Sequence, residues 1–143
     1  MNQSSVYLDH IDVSLKTGID IVDISTQLQH IITRSNIING NLNATVIGST
    51  GSITTIEYEP GVVQDLKRAI HALAPQHLEY EHEQAWHDGN GHSHVQAALI
   101  GPSISLPVRK GKLALGTWQQ PVVINHDNKA RKRRIEITIT GTQ

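Results

Sequence analysis

The sequence predicts a compact single α+β domain over residues 1–143, built mainly from antiparallel strands with two to three helices. Segments near both ends of the chain alternate apolar and polar residues, the period of a half-buried strand. One internal segment, which begins at Pro60, instead repeats apolar residues at helical spacing. Phe is absent from the 143 residues, and the apolar residues are largely β-branched, which favours strands.

The first half of the chain is predicted to contain four extended segments and two helices. The alternating segment 6–16 and the short segment 19–24 are strands. Ser25 is a candidate N-cap for a helix whose apolar positions recur at Leu28, Ile31 and Ile32. Strands follow at 42–47 and 52–58. Pro60 then starts the second helix, because its missing N–H costs nothing at the first helical position.

The second half is predicted to contain one short helix and a series of strands. Residues 95–100 are expected to form the helix, which ends before Gly101. The strands are expected at 104–108, 113–115, 122–124 and 135–140. In the last strand the isoleucines point inward and the intervening residues outward.

Composition excludes several classes of function. The formal net charge is −1 and there is no cysteine, so neither a nucleic-acid footprint nor thiolate chemistry is indicated. The start of the chain lacks the basic and apolar regions of a signal peptide. No apolar run approaches the ~20 residues of a membrane span. We therefore expect a cytoplasmic protein that binds neither nucleic acid nor membrane.

Residues 81–94 are the densest group of metal-binding and proton-transferring side chains. They contain four of the nine histidines, at positions 82, 87, 92 and 94. Such a segment can form a metal or acid/base site, but it can equally be a polar surface loop. Its spacing matches no specific zinc signature. In a regular helix His92 and His94 would point ~200° apart, so they can share an ion only at an irregular helix start.

Two further segments are candidates for anion binding. Ser49 and Thr50 lie between glycines, where backbone N–H groups can form a nest, although a tight bend between strands is the favoured interpretation. The basic run 129–134 can capture phosphate, but such runs usually form solvated turns.

Three segments resemble the YjbQ-like family, also known as the secondary thiamine-phosphate synthase family. They are Gly48-Ser49-Thr50-Gly51-Ser52 through Pro60, Asn90-Gly91-His92-Ser93-His94 through Ser103, and Ser105-Leu106-Pro107-Val108 through Leu113-Ala114-Leu115-Gly116-Thr117-Trp118-Gln119. The resemblance implies a domain that assembles as a homotrimer. It also implies a largely uncharacterised family with a proposed thiamine-phosphate synthase side activity. Many bacterial relatives have His-Thr-Thr-Ala where this chain has Gly48-Ser49-Thr50-Gly51, so a histidine of that pattern is missing here.

Two functions remain open at this stage. The first is a metal-dependent enzyme, a transferase or hydrolase, that acts on a phosphorylated small molecule. The second is a non-enzymatic trimeric module that binds a metal or small ligand. For the first, we predict a divalent ion, zinc or another transition metal, held by His82, His92 and His94.

The other predicted site residues surround this ion. Glu57 and Asp88 are the candidate catalytic carboxylates. Trp118 is expected to line the pocket and stack on a planar ring, because its neighbours are small or polar. The predicted substrate-binding residues are Ser49, Thr50, Thr117, Trp118 and Gln119.

Overall fold

The structure is a computed structural model that describes residues 3–143. These residues form eight strands and four helices. The strands are β1 (Ser4–Leu15), β2 (Asp20–Asp23), β3 (Asn39–Ile47), β4 (Gly51–Ile56), β5 (Ser103–Arg109), β6 (Lys112–Leu113), β7 (Gln120–Asn125) and β8 (Arg131–Thr142). The helices are α1 (Ser25–Ser35), α2 (Pro60–Leu73), α3 (Glu81–Trp86) and α4 (Gly91–Ile100). The paired strands are antiparallel, so the predicted α+β class is confirmed.

The larger sheet has the strand order β1-β8-β3-β5-β6, in which β8 lies between β1 and β3. Ile135 of β8 pairs with Ile11 of β1 on one side and with Val46 of β3 on the other. The predicted inward-facing isoleucines of β8 are at most 1% exposed. Helix α1 packs into the same core through Leu28 and its neighbours. Each fully buried side chain of this size contributes roughly 1.5–3 kcal/mol to folding.

The smaller sheet has the order β2-β7-β4 and is buried on both faces. Val123 of β7 belongs to the main core, whereas Val122 and Ile124 pack with Ile70 of α2. Successive side chains of a strand point to opposite faces, which explains why β7 is apolar without alternation. Gly51 pairs with Asn125, so the start of β4 lies beside the end of β7.

The histidine-rich segment differs from the prediction. It was expected to be a loop up to residue 94, but it forms α3 and the start of α4. The reason is a tertiary interaction that overrides the low helix propensity of Asn90 and Gly91. The Glu83 carboxylate accepts hydrogen bonds from the backbone N–H groups of Gly89 and Gly91, at 2.7 and 3.1 Å, and so fixes the turn between the two helices.

The start of α1 also differs from the prediction. Ser25 is the first helical residue, not the N-cap, and its backbone N–H and hydroxyl both donate to the Asp23 carboxylate, at 2.8 and 2.5 Å. Among residues 3–143, no helix is both long and apolar enough to cross a membrane.

Candidate functional site

Asp127 lies where the loop before β4, the start of α4 and the loop after β7 meet. Its Oδ2 accepts hydrogen bonds from Thr50 Oγ1 and Asn90 Nδ2, at 2.9 and 3.1 Å, and it lies 3.1 Å from Arg131 Nε. Burial alone would raise the pKa of the Asp127 carboxyl, but these hydrogen bonds together hold that pKa below its usual value. The carboxylate therefore stays ionised and ties the three segments together.

Arg133 supports the same site from below. It is only 6% exposed, and its Nη2 donates to Thr50 Oγ1 and to Asn125 Oδ1, each at 2.6 Å. Its guanidinium lies against the loop before β4, where a Cβ added at Gly48 would be 2.8 Å from Nη1. Gly48 also has φ +130°, a conformation that side chains disfavour. The close approach of Arg133 thus depends on glycine at this position.

A cavity of about 400 Å³ opens above this network. Its wall carries three basic side chains, two carboxylates, one histidine and the hydroxyls of the loop before β4. The lining residues are Ser49, Thr50, Asp88, Asn90, His94, Asp127, Arg131, Lys132 and Arg133. Because Arg131 already pairs with Asp127, the remaining charge of the wall favours an anion. The Ser49–Thr50 loop and the basic run were predicted separately as candidates for anion binding. In the structure both line this one cavity.

His82, Asp88 and His94 form a cluster at the edge of this cavity. The imidazole rings of His82 and His94 have centres 4.5 Å apart. His82 Nδ1 lies 3.3 Å from Asp88 Oδ1, yet it makes no hydrogen bond of acceptable geometry and is buried. A buried nitrogen without a partner is costly, and two imidazoles beside a carboxylate are a donor set that suits a transition metal.

Glu83 is also near this cluster but has a different role. Its Oε1 lies 3.8 Å from His82 Nδ1, and its ligand atom converges with those of His82 and Asp88 within 4.8 Å. Hydrogen bonds from the backbone N–H of Gly89, and then of Gly91, lower the pKa of Glu83. Because both carboxylate oxygens already accept these bonds, Glu83 positions the helices and Asp88 is the better carboxylate ligand.

The structure does not bring His92 to this cluster. His92 and His94 lie two residues apart in α4, so they point about 200° apart. His92 is 5% exposed and lines a separate cavity with His126. Burial, and then the neighbouring His71, lower the pKa of His92. The predicted convergence of His82, His92 and His94 is therefore not seen within one chain, because α4 begins before His92 and not after His94.

Glu57, Thr117 and Trp118 lie at the opposite end of β4. They line a cavity of about 420 Å³ that contains none of the three histidines. Trp118 is 74% exposed, so it is not part of the core, but the cavity that it lines is not the one beside the histidines. Ser49 precedes β4 and Glu57 follows it, and six strand residues at ~3.3 Å each separate them by about 20 Å. Within one chain Glu57 is thus not beside the histidine cluster, contrary to the prediction.

Gln119 and Thr50 are engaged in structural hydrogen bonds. The Gln119 amide donates to Thr55 Oγ1 at 3.1 Å and accepts from the Gly116 N–H at 3.2 Å. The Thr50 hydroxyl accepts from Arg133 and donates to Asp127. Ser49, by contrast, is exposed at the cavity, so it is the hydroxyl of this loop that a ligand can reach.

Residues 9–142 match the family described as UPF0047 protein YjbQ-like. The chain belongs to this family. It is 30% identical over 136 residues to a UPF0047 protein of Methanothermobacter thermautotrophicus, with 95% of this chain and 93% of the relative covered. It is 33% identical over 103 residues to the UPF0047 protein YjbQ of Salmonella typhimurium, covering 71% and 74% of the two chains.

Solved structures of the YjbQ-like family agree with the fold. A YbjQ-like protein of unknown function from Sulfolobus solfataricus superimposes with a TM-score of 0.92 at 33% identity, covering 97% of this chain and 99% of that chain. A hypothetical protein from Aeropyrum pernix gives a TM-score of 0.88 at 25% identity, with 94% and 98% covered. The YjbQ-like domain therefore spans nearly the full length of this chain.

Sequence reasoning missed several residues of this YjbQ-like site, namely Asn90, Asp127 and the buried role of Arg133. The burial of Arg133 could have been predicted, because this residue occupies the next inward-facing position before Ile135, Ile137 and Ile139. A cation at the buried end of an alternating strand indicates a partner in the core. Asp127 and Asn90 lie in turns, where Asp and Asn are common for local reasons, so their side chains gave no such signal.

Proposed function

We propose that this YjbQ-like protein is a metal-dependent enzyme that acts on a phosphorylated small molecule in the cavity above Asp127. One observation carries the proposal. The same cavity is bordered by His94 and Asp88, which suit a metal, and by Arg131 and Lys132, which suit a phosphate group. Metal and cation clamps on a departing phosphate or diphosphate are the main requirement of phosphoryl and diphosphate chemistry.

The phosphate end of the substrate is assigned to Ser49, Arg131 and Lys132. Lys132 and Ser49 are exposed at the cavity, and Arg131 keeps about half of its side chain accessible beside Asp127. Arg133 lies below and is held by Thr50 and Asn125, so it supplies charge but not direct contact. Ionised groups donate the strongest hydrogen bonds to phosphate oxygens.

The metal end is assigned to His82, Asp88 and His94. The unpartnered Nδ1 of His82, 3.3 Å from Asp88 Oδ1, supports this assignment. A transition ion bound there would neutralise charge on a phosphate oxygen and lower the pKa of a bound water. The residues of the chain hold and orient the substrate. A thiamine-phosphate synthase-like side activity remains a proposal that rests on the family resemblance.

The protein is proposed to assemble as a homotrimer. Two features of the described residues support self-association. β1 is a twelve-residue edge strand whose Val6 and Leu8 are 64% and 71% exposed, and long apolar edges usually pair with another chain. Trp118 is similarly exposed beside Glu57. A trimer mass in light scattering at micromolar concentration is expected, and a monomer mass would disprove the assembly.

The experiment that tests the function measures metal content and turnover together. Wild-type protein, loaded with zinc or manganese, is screened for release of phosphate or diphosphate from a panel of phosphorylated small molecules. Asp88→Asn should lower metal content and turnover, whereas Lys132→Gln should retain the metal and raise KM. Lys112→Gln, an exposed lysine on β6, serves as the matched control and should match wild type.

The alternative is a binding module without catalysis. One observation favours it, because the Asp127 carboxylate is fully engaged in hydrogen bonds and is not available as a general base. Metal binding and phosphate binding without turnover of any substrate in the panel would establish this alternative. Absence of both metal and phosphate binding would overturn both functions.

A further inference from the structure

A second cavity, of about 370 Å³, lies between α2 and α4 on the face of α4 opposite His94. Its volume falls within the range of small-molecule sites, ~300–1,000 Å³. The wall is made of basic, imidazole and amide side chains with one short apolar segment. The lining residues are Gly18, Ile19, Gln64, Lys67, Arg68, His71, Gln76, His92, Gln96 and His126.

The floor of this cavity is rigid because its side chains are hydrogen-bonded in series. The Gln96 amide donates to the Ala74 carbonyl at 2.9 Å, so its oxygen is free to accept from His126 Nδ1, also at 2.9 Å. His126 Nε2 must then accept from the Ser52 hydroxyl, at 2.7 Å. Burial, and then the charge of Arg133, lower the pKa of His126 to about 4. His126 is thus a neutral, fixed part of the floor.

His92 is the floor residue with an unused polar atom. Its Nε2 lies 3.2 Å from Ser93 Oγ, whereas its buried Nδ1 has no hydrogen-bond partner among residues 3–143. The Gly89 carbonyl is near enough to affect the ring but is not aligned for a hydrogen bond. Because this nitrogen is shielded from solvent, it stays within the uncharged floor, and an occupant of the cavity must be held by the other polar residues of the wall.

The charged residues that line the cavity indicate the charge of the ligand that it would bind. Lys67 and Arg68 both line it, and no carboxylate does among the described residues. Arg68 pairs with Asp65 on α2, but none of the ion pairs within residues 3–143 involves Lys67. Three other cavities each contain at least two acidic residues. A cation without a counter-ion above an uncharged polar floor favours an anionic ligand.

We propose that this cavity is a second binding site, for a small organic anion that carries a phosphate or carboxylate group. Lys67 and Arg68 contact the anionic group, and Gln64, Gln76 and His71 hydrogen-bond the rest of the molecule. The site is distinct from the proposed catalytic cavity, because α4 separates the two and presents His92 to one and His94 to the other. The two sites therefore share a wall but no lining residue.

The test is a site-resolved NMR titration of the full chain with inorganic phosphate and, separately, with citrate. Saturable shifts of the Ile19 amide and the Gln96 side-chain amide are expected with at least one anion, and the anion that binds tighter identifies the preferred group. Lys67→Gln should weaken the affinity at these reporters about tenfold, the effect of losing one charge-assisted hydrogen bond. Gln64→Glu, which adds a negative charge at an exposed position of α2, should weaken it at least as much.

The controls separate this site from the proposed catalytic one. Lys112→Gln should leave the titration unchanged, and Lys132→Gln should affect only reporters beside Ser49. The proposal is overturned if neither anion shifts Ile19 and Gln96, or if their titration is the same in Lys67→Gln as in wild type. Shifts near Ser49 alone would support the catalytic cavity and reject the second site, whereas shifts near Ile19 alone would do the reverse.

Discussion

His82 and His94 lie on consecutive helices with their imidazole centres 4.5 Å apart and their planes inclined by 38°. Their proximity depends on the turn between α3 and α4, which the Glu83 carboxylate fixes through the backbone of Gly89 and Gly91. The two rings are therefore brought together by the fold of the chain itself, as the proposed metal site requires.

The two histidines are expected to act as one unit in metal binding. His82→Ala and His94→Ala should each lower zinc affinity by at least tenfold, and the double variant should lose little more, because residues that act together are not additive. Zinc titration monitored by calorimetry measures this. His30→Ala, an exposed position on α1, should bind as wild type does. Additive losses would show that the two rings do not share an ion.

Gly48 is expected to be intolerant of any side chain. Gly48→Ala should lower the free energy of unfolding by about 1–3 kcal/mol, because φ is +130° and the new Cβ would press on Arg133 Nη1. Gly116→Ala is the matched control, since its nearest contact would be an ordinary 3.7 Å. Urea denaturation compares the two variants, and equal stabilities would contradict the described loop geometry.

Arg133 is expected to stabilise the fold more than its neighbour Arg134. Arg133→Met leaves Thr50 and Asn125 without their buried donor and should cost about 1–3 kcal/mol of unfolding free energy. Arg134 is half exposed and pairs with Glu136 on the surface, so Arg134→Met should change stability by less than ~0.5 kcal/mol. Chemical denaturation at constant pH tests this. A loss in Arg134→Met equal to that in Arg133→Met would contradict the buried network.

The stability of the domain is expected to fall between pH 6.5 and 4 because of His126. Its pKa is lowered to about 4 in the folded state, whereas an unfolded histidine titrates near ~6.5. In this window the unfolded chain binds the extra proton, so stability decreases as the pH falls, by up to about 3 kcal/mol. His126→Gln should flatten this part of the curve in thermal melts recorded from pH 4 to 7.

Two comparisons make the pH prediction specific. Asp127, whose pKa lies below its usual value, loses its contribution only as the pH falls through that lower pKa, so it affects a more acidic window. His30→Gln removes an exposed imidazole and should keep the slope of the wild type. If the His126→Gln curve is as steep as that of wild type, His126 is not held neutral in the fold.

The strands and helices that bury one face could be predicted from the sequence, because burial of one face makes apolar residues recur at a regular spacing. The alternation of β8 corresponds to a buried face in the structure. In the apolar stripe of α2, Ile70 is buried and Val63 and Leu66 are partly buried against the second core, whereas Leu73 is 72% exposed. Pro60 starts α2 as expected, and Glu59 caps it through the backbone N–H groups of Gly61 and Val62. These features depend on neighbours within a few residues, so they can be deduced from sequence.

The arrangement of the candidate site was less predictable, because it depends on contacts between distant segments. Helix α3 and the early start of α4 rest on the hydrogen bonds of Glu83, which no periodicity encodes. That one change turns His92 away from His94. The separation of Glu57 from the histidines likewise follows from the direction and length of β4. Sequence could identify the chemical groups but not which of them meet.

The position of Arg133 on β8 also bears on how errors in strand pairing would affect this protein. Residues 131 to 134 are all basic, so a slip of one residue would still bring Lys132 or Arg134 towards the loop at Gly48. The same slip would turn Ile135, Ile137 and Ile139 from the core to the opposite face. The charge of the cavity is thus insensitive to register, whereas the core is not. Correct pairing of β8 is enforced by the isoleucines, and a substitution of the exposed Lys132 would change the charge of the cavity while leaving the isoleucines and the buried Arg133 in place.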